Sequence, residues 1–600
     1  MSKTKGVILI VPCIEKGRGG GHLVRSLILT RELRENGRNA FLFIDDEGNK
    51  TRTIDVTLIV RIIGDFDALW ICREPPPEIN CIIIDGFRAS QEEFEKWSRL
   101  APVVGIDEGG DYRDGFDFLV DLLPGIMGRP NITAPGFLPL PKNRRNDFDD
   151  ASLREPRILI SFGMEDEAGL GASVAESLGI AMQEKVPDLR EHLAEYDLVI
   201  THFGITAFEA LYAGVPVLLV SPTPYHEKLA RRAGFVSAGI GKKAASRIGY
   251  LVYSHSDGTV PRVINKQFFN NLIQQNEYVF AKYFDNADNS QSNIGTSSGD
   301  FFSAISPMVS LVCRGCGFPV HKTAAIARFT ERTYRRCKNC GLIGMDRLTL
   351  PPFEYDKDYF FDSYKKQYGK TYLEDFPSLV EAGKRRLKII KSLLDLPPGQ
   401  EERTHARLLD IGCAYGPFLA AAREEGFTPE GIEPAEDAAR YVNQELGISC
   451  RHGFFPLGPD AGRGRVPEDG AFDAVTFWYV IEHFEDCQSV LAEANRVLKK
   501  GGVLAFSTPS LTGVSGRKSL NNFLKNSPAD HFTVWSPSIC KKLLKKHGFT
   551  LKKIVVTGHH PERFPLIGKH LKGKGFFFKL FMAVSKLFNL GDSFEAYALK

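Results

Sequence analysis

The 600-residue chain has no apolar run approaching the ~20 residues that a membrane-spanning helix needs. Its opening, MSKTKGVILIVPCIEKG, has an apolar stretch too short for a secretory signal. It leads into a glycine loop and reads as a first buried strand. Net charge is also scarce: 76 Lys and Arg against 73 Asp and Glu leave +3, which removes any general electrostatic case for nucleic-acid binding. A disulfide framework is missing too. The eleven cysteines are odd in number; four form two CxxC pairs and the other seven are scattered, so a reducing cytoplasm fits. No tandem repeat is found.

What is present is ordinary globular composition, 43% hydrophobic and 25% charged, in a chain too long for one core. Continuous apolar runs alternate with helical segments: 6–13, 39–46, 81–87 and 103–109, then 157–163, 197–204 and 216–222. Runs of this kind predict parallel sheets covered on both faces. The expected class is α/β multidomain. Residues 1–150 and 151–284 form two Rossmann-like lobes, 285–310 a small, polar, flexible linker, 311–350 a cysteine module, 351–403 a helical lead-in, and 404–600 a last α/β domain.

The segment LLDIGCAYGPFL (408–419) runs from an apolar strand through Asp410 and a glycine loop, with Gly412 and Gly416, into a helix. A second strand ends on Glu433 in GIEP. Glycines allow close approach of the backbone to a ligand, and an acid at the second strand's tip can hold ribose hydroxyls. The loop is not GxGxxG, which disfavours a nicotinamide dehydrogenase. With FDAVTFWYVIEHF (472–484), LKKGGVLAFSTPS (498–510), HGFTLKKIVVTG and SFEAYALK in order, residues 404–600 resemble a class I S-adenosylmethionine-dependent methyltransferase with a seven-stranded mixed sheet. The resemblance implies that Asp410 and Gly412 face the methionine end of the cofactor, that Gly416 is a further cofactor-binding glycine of the loop, and that Glu433 binds the ribose. It places His483, with Glu482 to orient or charge-stabilise it, near the methyl donor as candidate base. The other reading of His483 is a satisfied histidine capping the next helix. Trp478 is a cofactor-pocket or core aromatic, and Tyr479 and His531 are candidates for the acceptor pocket. The lysine- and aromatic-rich tail 568–588 admits weak peripheral membrane contact, but a helix packed on the sheet is the favoured reading.

Cys313-x2-Cys316 and Cys337-x2-Cys340 can surround one Zn2+ with four thiolates, leaving no open position, so the site is expected to be structural. The module resembles the zinc ribbons that precede some sugar methyltransferases. A nucleic-acid-reading ribbon is the rival, through Arg314, Lys322, Arg328, Arg332, Arg335 and Arg336, although a solvated basic face is the commoner outcome.

Near the start, GRGGGHLVRSLILTRELRENG follows the first strand; glycines and a helix N-terminus can cradle a diphosphate. Gly20, Gly21, His22 and Arg25 lie at that mouth. The segment resembles the GxGHxxR loop of nucleotide-sugar hydrolases of pseudaminic acid synthesis and of spore-coat polysaccharide proteins. These share a GT-B fold with the peptidoglycan N-acetylglucosaminyl transferase. HFGITAFEALYAGVPVLLVSP resembles the family's nucleotide-binding segment. The resemblance implies that His22 is a base activating water and that Glu209 contacts ribose. Only about thirty residues separate ISFG from DLVITHFG, so the second lobe reads as truncated.

The expectation is a bifunctional, cytoplasmic protein of surface-glycan biosynthesis. Its cofactors are S-adenosylmethionine and structural Zn2+, and its partner is a nucleotide-activated sugar or glycan precursor. Three rivals remain: a glycosyltransferase with an accessory methyltransferase, a nucleic-acid methyltransferase guided by the ribbon, and a non-catalytic N-terminal scaffold.

Overall fold

The computed structural model describes residues 6–14, 21–44, 71–123, 128–133, 140–145, 156–163, 166, 168–182, 186, 189–254, 264–285, 307–320, 323–349, 369–394, 405–456, 467–564 and 575–600. Gly20, Lys322, most of the expected linker and residues 351–368 of the expected lead-in lie outside this set. The chain divides into two compact units. One comprises residues 1–309 with 328–332 and 347–349; the other comprises 310–327, 333–346 and 350–600.

In the first unit, the apolar runs become two parallel sheets. The larger has seven strands, in the order Ile71–Cys72, Ala40–Phe43, Val7–Pro12, Ile79–Asp85, Val103–Ile106, Phe118–Asp121 and Ile132–Thr133. Leu9, Val11, Ile82 and Ile84 face one core, and Ile8, Ile10, Cys81 and Ile83 the other. Burial on both faces explains why these strands read as unbroken apolar runs. The second sheet has four parallel strands: Ser237–Ile240, Val217–Ser221, Leu198–Thr201 and Ile158–Ser161.

The second unit is built on a seven-stranded mixed sheet. Its order is Cys450–His452, Thr428–Glu433, Arg407–Ile411, Phe472–Trp478, Leu498–Pro509, Ser593–Leu599 and Thr550–Thr557. Six strands run in the same direction, and Ser593–Leu599 is antiparallel to both of its neighbours. A helix, Tyr372–Leu393, precedes it and starts with a capping box formed by Thr371 and Glu374. The cysteine module forms a small sheet whose strand Ile343–Arg347 pairs with Thr533–Val534 of the larger domain. That pairing has no signature in the sequence, because a two-residue strand has no periodicity.

Two expectations are corrected. Arg314, Arg328 and Arg335 are buried, and Arg314 and Arg335 face Asp346 at 3.5 and 3.4 Å. These three therefore contribute neither to a solvated basic face nor to a nucleic-acid surface, whereas Arg336 is exposed and Arg332 half-buried. The tail helix, Phe576–Leu587, is not buried on the sheet by its apolar residues: Ser585 is its one fully buried residue, Phe578 and Phe581 are half-buried, and Phe576 and Phe577 are exposed. No helix among the described residues is long and apolar enough to cross a membrane.

Candidate functional sites

In the second unit, Arg407–Ile411 delivers the chain into the loop 412–416, where Gly412 (φ 69°) and Gly416 (φ 78°) are left-handed. A Cβ on Gly412 would sit 2.6 Å from Val480, and one on Gly416 would sit 2.9 Å from Val442 and Leu446. Both positions therefore require glycine for two reasons, conformation and close approach. Glu433, at the end of the neighbouring strand, ties this loop down. Its Oε2 accepts from the Ala414 N–H at 2.8 Å and its Oε1 from the Ala435 N–H at 2.9 Å. Burial pushes Glu433 up to about 7, against those two hydrogen bonds. Asp410 accepts from the Thr476 hydroxyl at 2.6 Å. Burial also pushes Asp410 up to about 7, with Thr476 and Arg386 acting in the opposite direction.

Across from this loop, a 3-10 turn at Ile481–His483 carries the histidine. His483 Nδ1 lies 2.9 Å from Asp530 Oδ2, and the His531 ring stands edge-on with its centroid 4.6 Å away. Burial works against charging His483; the hydrogen bond to Asp530 and the charges of Glu482 and Asp530 outweigh it and raise its pKa. Burial opposes ionisation of Asp530 in turn, but His483 holds it down at about 2. The expected orienting role of Glu482 is thus corrected. Asp530 holds the ring, while Glu482 is fully buried and is pushed up to about 7 by that burial, with His483 and Thr508 acting in the opposite direction. The signal for Asp530 was available one residue before His531, in DHFTVW.

Tyr479 is half-exposed at the end of the strand, with φ 59°, and its N–H is fixed on Ser507 O at 3.0 Å. A bulky residue held in the left-handed region next to His483 is strain of the kind that gathers at functional sites. Trp478 packs edge-on against Phe418 at 5.0 Å, with the Arg386 guanidinium 4.0 Å over its ring. It is half-buried against the core beneath the helix Tyr372–Leu393, with Nε1 buried and without a hydrogen-bond partner among the described residues.

The four cysteines Cys313, Cys316, Cys337 and Cys340 are buried, and their sulfurs lie within 4.8 Å of one another. Two Sγ–Sγ distances are 3.5 and 3.6 Å. Four sulfurs at about 2.3 Å from a central Zn2+ would be spaced like this. Gly317 and Gly341, both left-handed, return N–H groups to the Cys313 and Cys337 carbonyls and shape the two knuckles. All-thiolate donors suit zinc, so the residues present fit the metal.

In the first unit, helix Gly21–Glu35 follows the strand Val7–Pro12. His22 Nδ1 lies 2.7 Å from Asp85 Oδ1. Arg25 grips both oxygens of Asp85, with Nε at 2.8 Å from Oδ2, and reaches Asp107 Oδ2 at 2.5 Å. Asp85, Asp107 and Arg25 are all buried. Burial alone would raise the Asp85 carboxyl, but Arg25 and His22 hold it well below the usual range. Arg25 is therefore corrected from a ligand-binding residue to an internal brace: its guanidinium is engaged by two carboxylates. Asp85 and Asp107 were not singled out in the sequence. Their signal was an acid at the carboxyl end of two consecutive buried strands, where α/β sheets place their ligands.

The residues following these strand ends are left-handed without being glycine: Phe87 has φ 59° and Asp107 φ 50°. Phe87 stacks on His226 of the second lobe at 6.3 Å and meets Tyr225 edge-on at 5.7 Å, and His226 stacks on His202 at 5.7 Å. Burial, with His202 and Arg88, lowers His226 to about 4. Glu209, on helix Ile205–Tyr212, is pushed up to about 7 by burial, with Arg190 acting in the opposite direction. Among the described residues, no hydrogen bond ties Glu209 to the His22 cluster.

Residues 382–554 match the family model Methyltransf_23, a methyltransferase domain. The ubiquinone biosynthesis O-methyltransferase of Thiobacillus denitrificans is 26% identical over 161 residues, covering 26% of this chain and 69% of the relative. That of Pseudomonas fluorescens (strain SBW25) is 27% identical over 175 residues, covering 28% and 72%. The crystal structure of a SAM-dependent methyltransferase from Archaeoglobus fulgidus aligns with a TM-score of 0.28 at 20% identity, over 40% of this chain and 99% of that one. By the family match, residues 382–554 form a class I S-adenosylmethionine-dependent methyltransferase domain. The site fits the cofactor. Asp410 and Glu433 are buried carboxylates at strand ends, pushed up by desolvation, and Glu433 keeps lone pairs beyond the two N–H groups it accepts.

Proposed function

We propose that the second unit transfers a methyl group to a hydroxyl oxygen of a sugar or nucleotide-sugar, with His483 as general base. The observation that carries this reading is the His483–Asp530 pair, set beside the loop that Glu433 anchors. S-adenosylmethionine, when bound, supplies an electrophilic methyl group. Glu433 would accept its ribose hydroxyls, and Asp410 would face its methionine end. Asp530 fixes the orientation of His483, whose imidazole would take the acceptor's proton as oxygen attacks. Glu482, buried alongside, adds negative charge that favours the imidazolium once the proton has arrived. Tyr479 and His531 would line the acceptor pocket. Oxygen as the acceptor atom is supported by the O-methyltransferases to which residues of this domain are similar.

On the same reading, the first unit is a GT-B-like pair of lobes, 1–150 and 151–284, that binds a nucleotide-activated sugar and hydrolyses or transfers it. His22, with Asp85 on its Nδ1, is the base of that step. The zinc ribbon, 311–350, is structural. Together the two units would act on one glycan precursor in surface-polysaccharide synthesis.

A second reading has a specific observation behind it. The relatives are named for ubiquinone biosynthesis, so a ubiquinone precursor is the rival acceptor. Mass spectrometry separates the two. The protein is incubated with UDP- and CMP-sugars, or with a phenolic ubiquinone precursor, with and without S-adenosylmethionine. Gain of one methyl mass on the sugar supports the first reading. Gain on the phenol alone overturns it.

A further inference from the structure

The helix Phe576–Leu587 is apolar on both sides: Phe578, Phe581, Met582 and Val584 are half-buried, while a second apolar stripe faces outward. Phe576 is 75% exposed, Phe577 65%, Leu587 75% and, just past its end, Phe588 63%. Phe576, Leu580, Ala583 and Leu587 follow the four-three-four spacing of a single helical stripe, and all four are exposed. The opposite side holds the helix in place. Ser585 Oγ lies 2.8 Å from His559 Nδ1, and Phe581 meets Phe564 at 5.5 Å. The exposed stripe is therefore not a frayed end; its inner side is engaged and its outer side is bare.

Charge identifies what would cover it. Lys579 and Lys586, seven residues apart, line one flank of the stripe, and both are exposed. From Arg563 to Gly591 the sequence has five lysines, one arginine and no acidic residue. A second copy of this helix would bring lysine rows together with no acid in the segment to pair with them. An anionic bilayer surface answers both features: aromatic and aliphatic side chains enter the headgroup boundary, and lysines remain with the phosphates. We propose that the outward face of helix Phe576–Leu587 docks the protein on anionic phospholipid. The proposal does not depend on which acceptor is methylated.

The test is co-sedimentation of the full chain with vesicles of phosphatidylcholine mixed with phosphatidylglycerol, against phosphatidylcholine alone. The wild type should partition onto the anionic vesicles, less so as salt rises. The triple variant Phe576→Ser, Phe577→Ser, Leu587→Ser should lose roughly tenfold or more of that partition. Lys579→Gln with Lys586→Gln should remove most of the preference for anionic lipid. All of these side chains are exposed, so an unchanged melting temperature is the expected folding control. No binding by the wild type would overturn the proposal, as would equal binding to neutral vesicles or undiminished binding by the triple variant. A dimer in solution that the triple variant abolishes, without lipid binding, would assign the face to a second copy instead.

Discussion

Asp530 Oδ2 lies 2.9 Å from His483 Nδ1, closing a carboxylate–imidazole pair between a 3-10 turn after one strand and a loop some fifty residues later in the chain. The pair sets a pH dependence. A general base works in its neutral form, and Asp530 and Glu482 raise the pKa of His483. The acid limb of kcat/KM should therefore lie above about 6.5, the ordinary imidazole value. Asp530→Asn removes the charge that raises it, so the limb should move to lower pH while the rate falls. His483→Ala should slow methyl transfer by roughly 10²-fold or more with cofactor affinity retained. Rates across pH, together with calorimetry, check both; a limb that stays in place in Asp530→Asn would show that Asp530 is merely structural.

Glu433 joins two loops through its two oxygens and is the candidate for the cofactor's ribose. Glu433→Ala should leave S-adenosylmethionine binding undetectable by calorimetry. Glu433→Gln keeps one acceptor oxygen and should weaken it less, on the order of tenfold, the value of a single charge-assisted hydrogen bond. Asp410→Ala should also abolish binding. Unchanged affinity in both alanine variants would remove this loop as the cofactor site.

Much of this was legible in the sequence because it is local. An unbroken apolar run bounded by glycine marks a strand buried on both faces, and Asp410, Gly412 and Glu433 follow such runs at fixed offsets. The partners of the site residues were not legible, because they come from distant parts of the chain. Asp530 approaches His483 from the segment that also supplies Thr533–Val534 to the ribbon sheet. Asp85 and Asp107 meet Arg25 from two later strands. Composition misled at Phe576–Leu587: an aromatic-rich helix suggests a core, and only the direction of its stripe shows otherwise.

The four-thiol cluster should hold one zinc per chain. Elemental analysis checks the stoichiometry. Cys340→Ser should lose the metal, with a drop in affinity larger than the roughly 10–100-fold typical of losing an outer-sphere partner. Because the strand Ile343–Arg347 pairs with Thr533–Val534, and Gln488 Nε2 donates to the Cys313 carbonyl at 3.3 Å, the loss should reach the larger domain. Chelation should therefore lower the melting temperature of the second unit and not only unfold the ribbon. A melting curve insensitive to chelator, in protein shown to have lost its zinc, would count against that coupling.

In the first unit, two substitutions at one hydrogen bond should behave in opposite ways. His22 sits at the start of its helix and is partly accessible, so His22→Ala should leave the unit folded. If the unit turns over nucleotide-sugars, release of free nucleotide should fall by roughly 10²-fold or more. Asp85→Ala removes the carboxylate that meets Arg25 Nε, leaving a buried guanidinium with Asp107 as its one remaining carboxylate among the described residues. Breaking a buried pair from one side typically costs about 3–5 kcal/mol. Asp85→Ala should therefore unfold the unit at markedly lower denaturant. Asp85→Asn keeps an acceptor for Arg25 and should be milder. Denaturant titrations of the three variants, beside assays of free nucleotide, separate the base from the brace. Equal destabilisation by His22→Ala and Asp85→Ala would show that His22 is a structural partner of the cluster and not the group that meets the ligand.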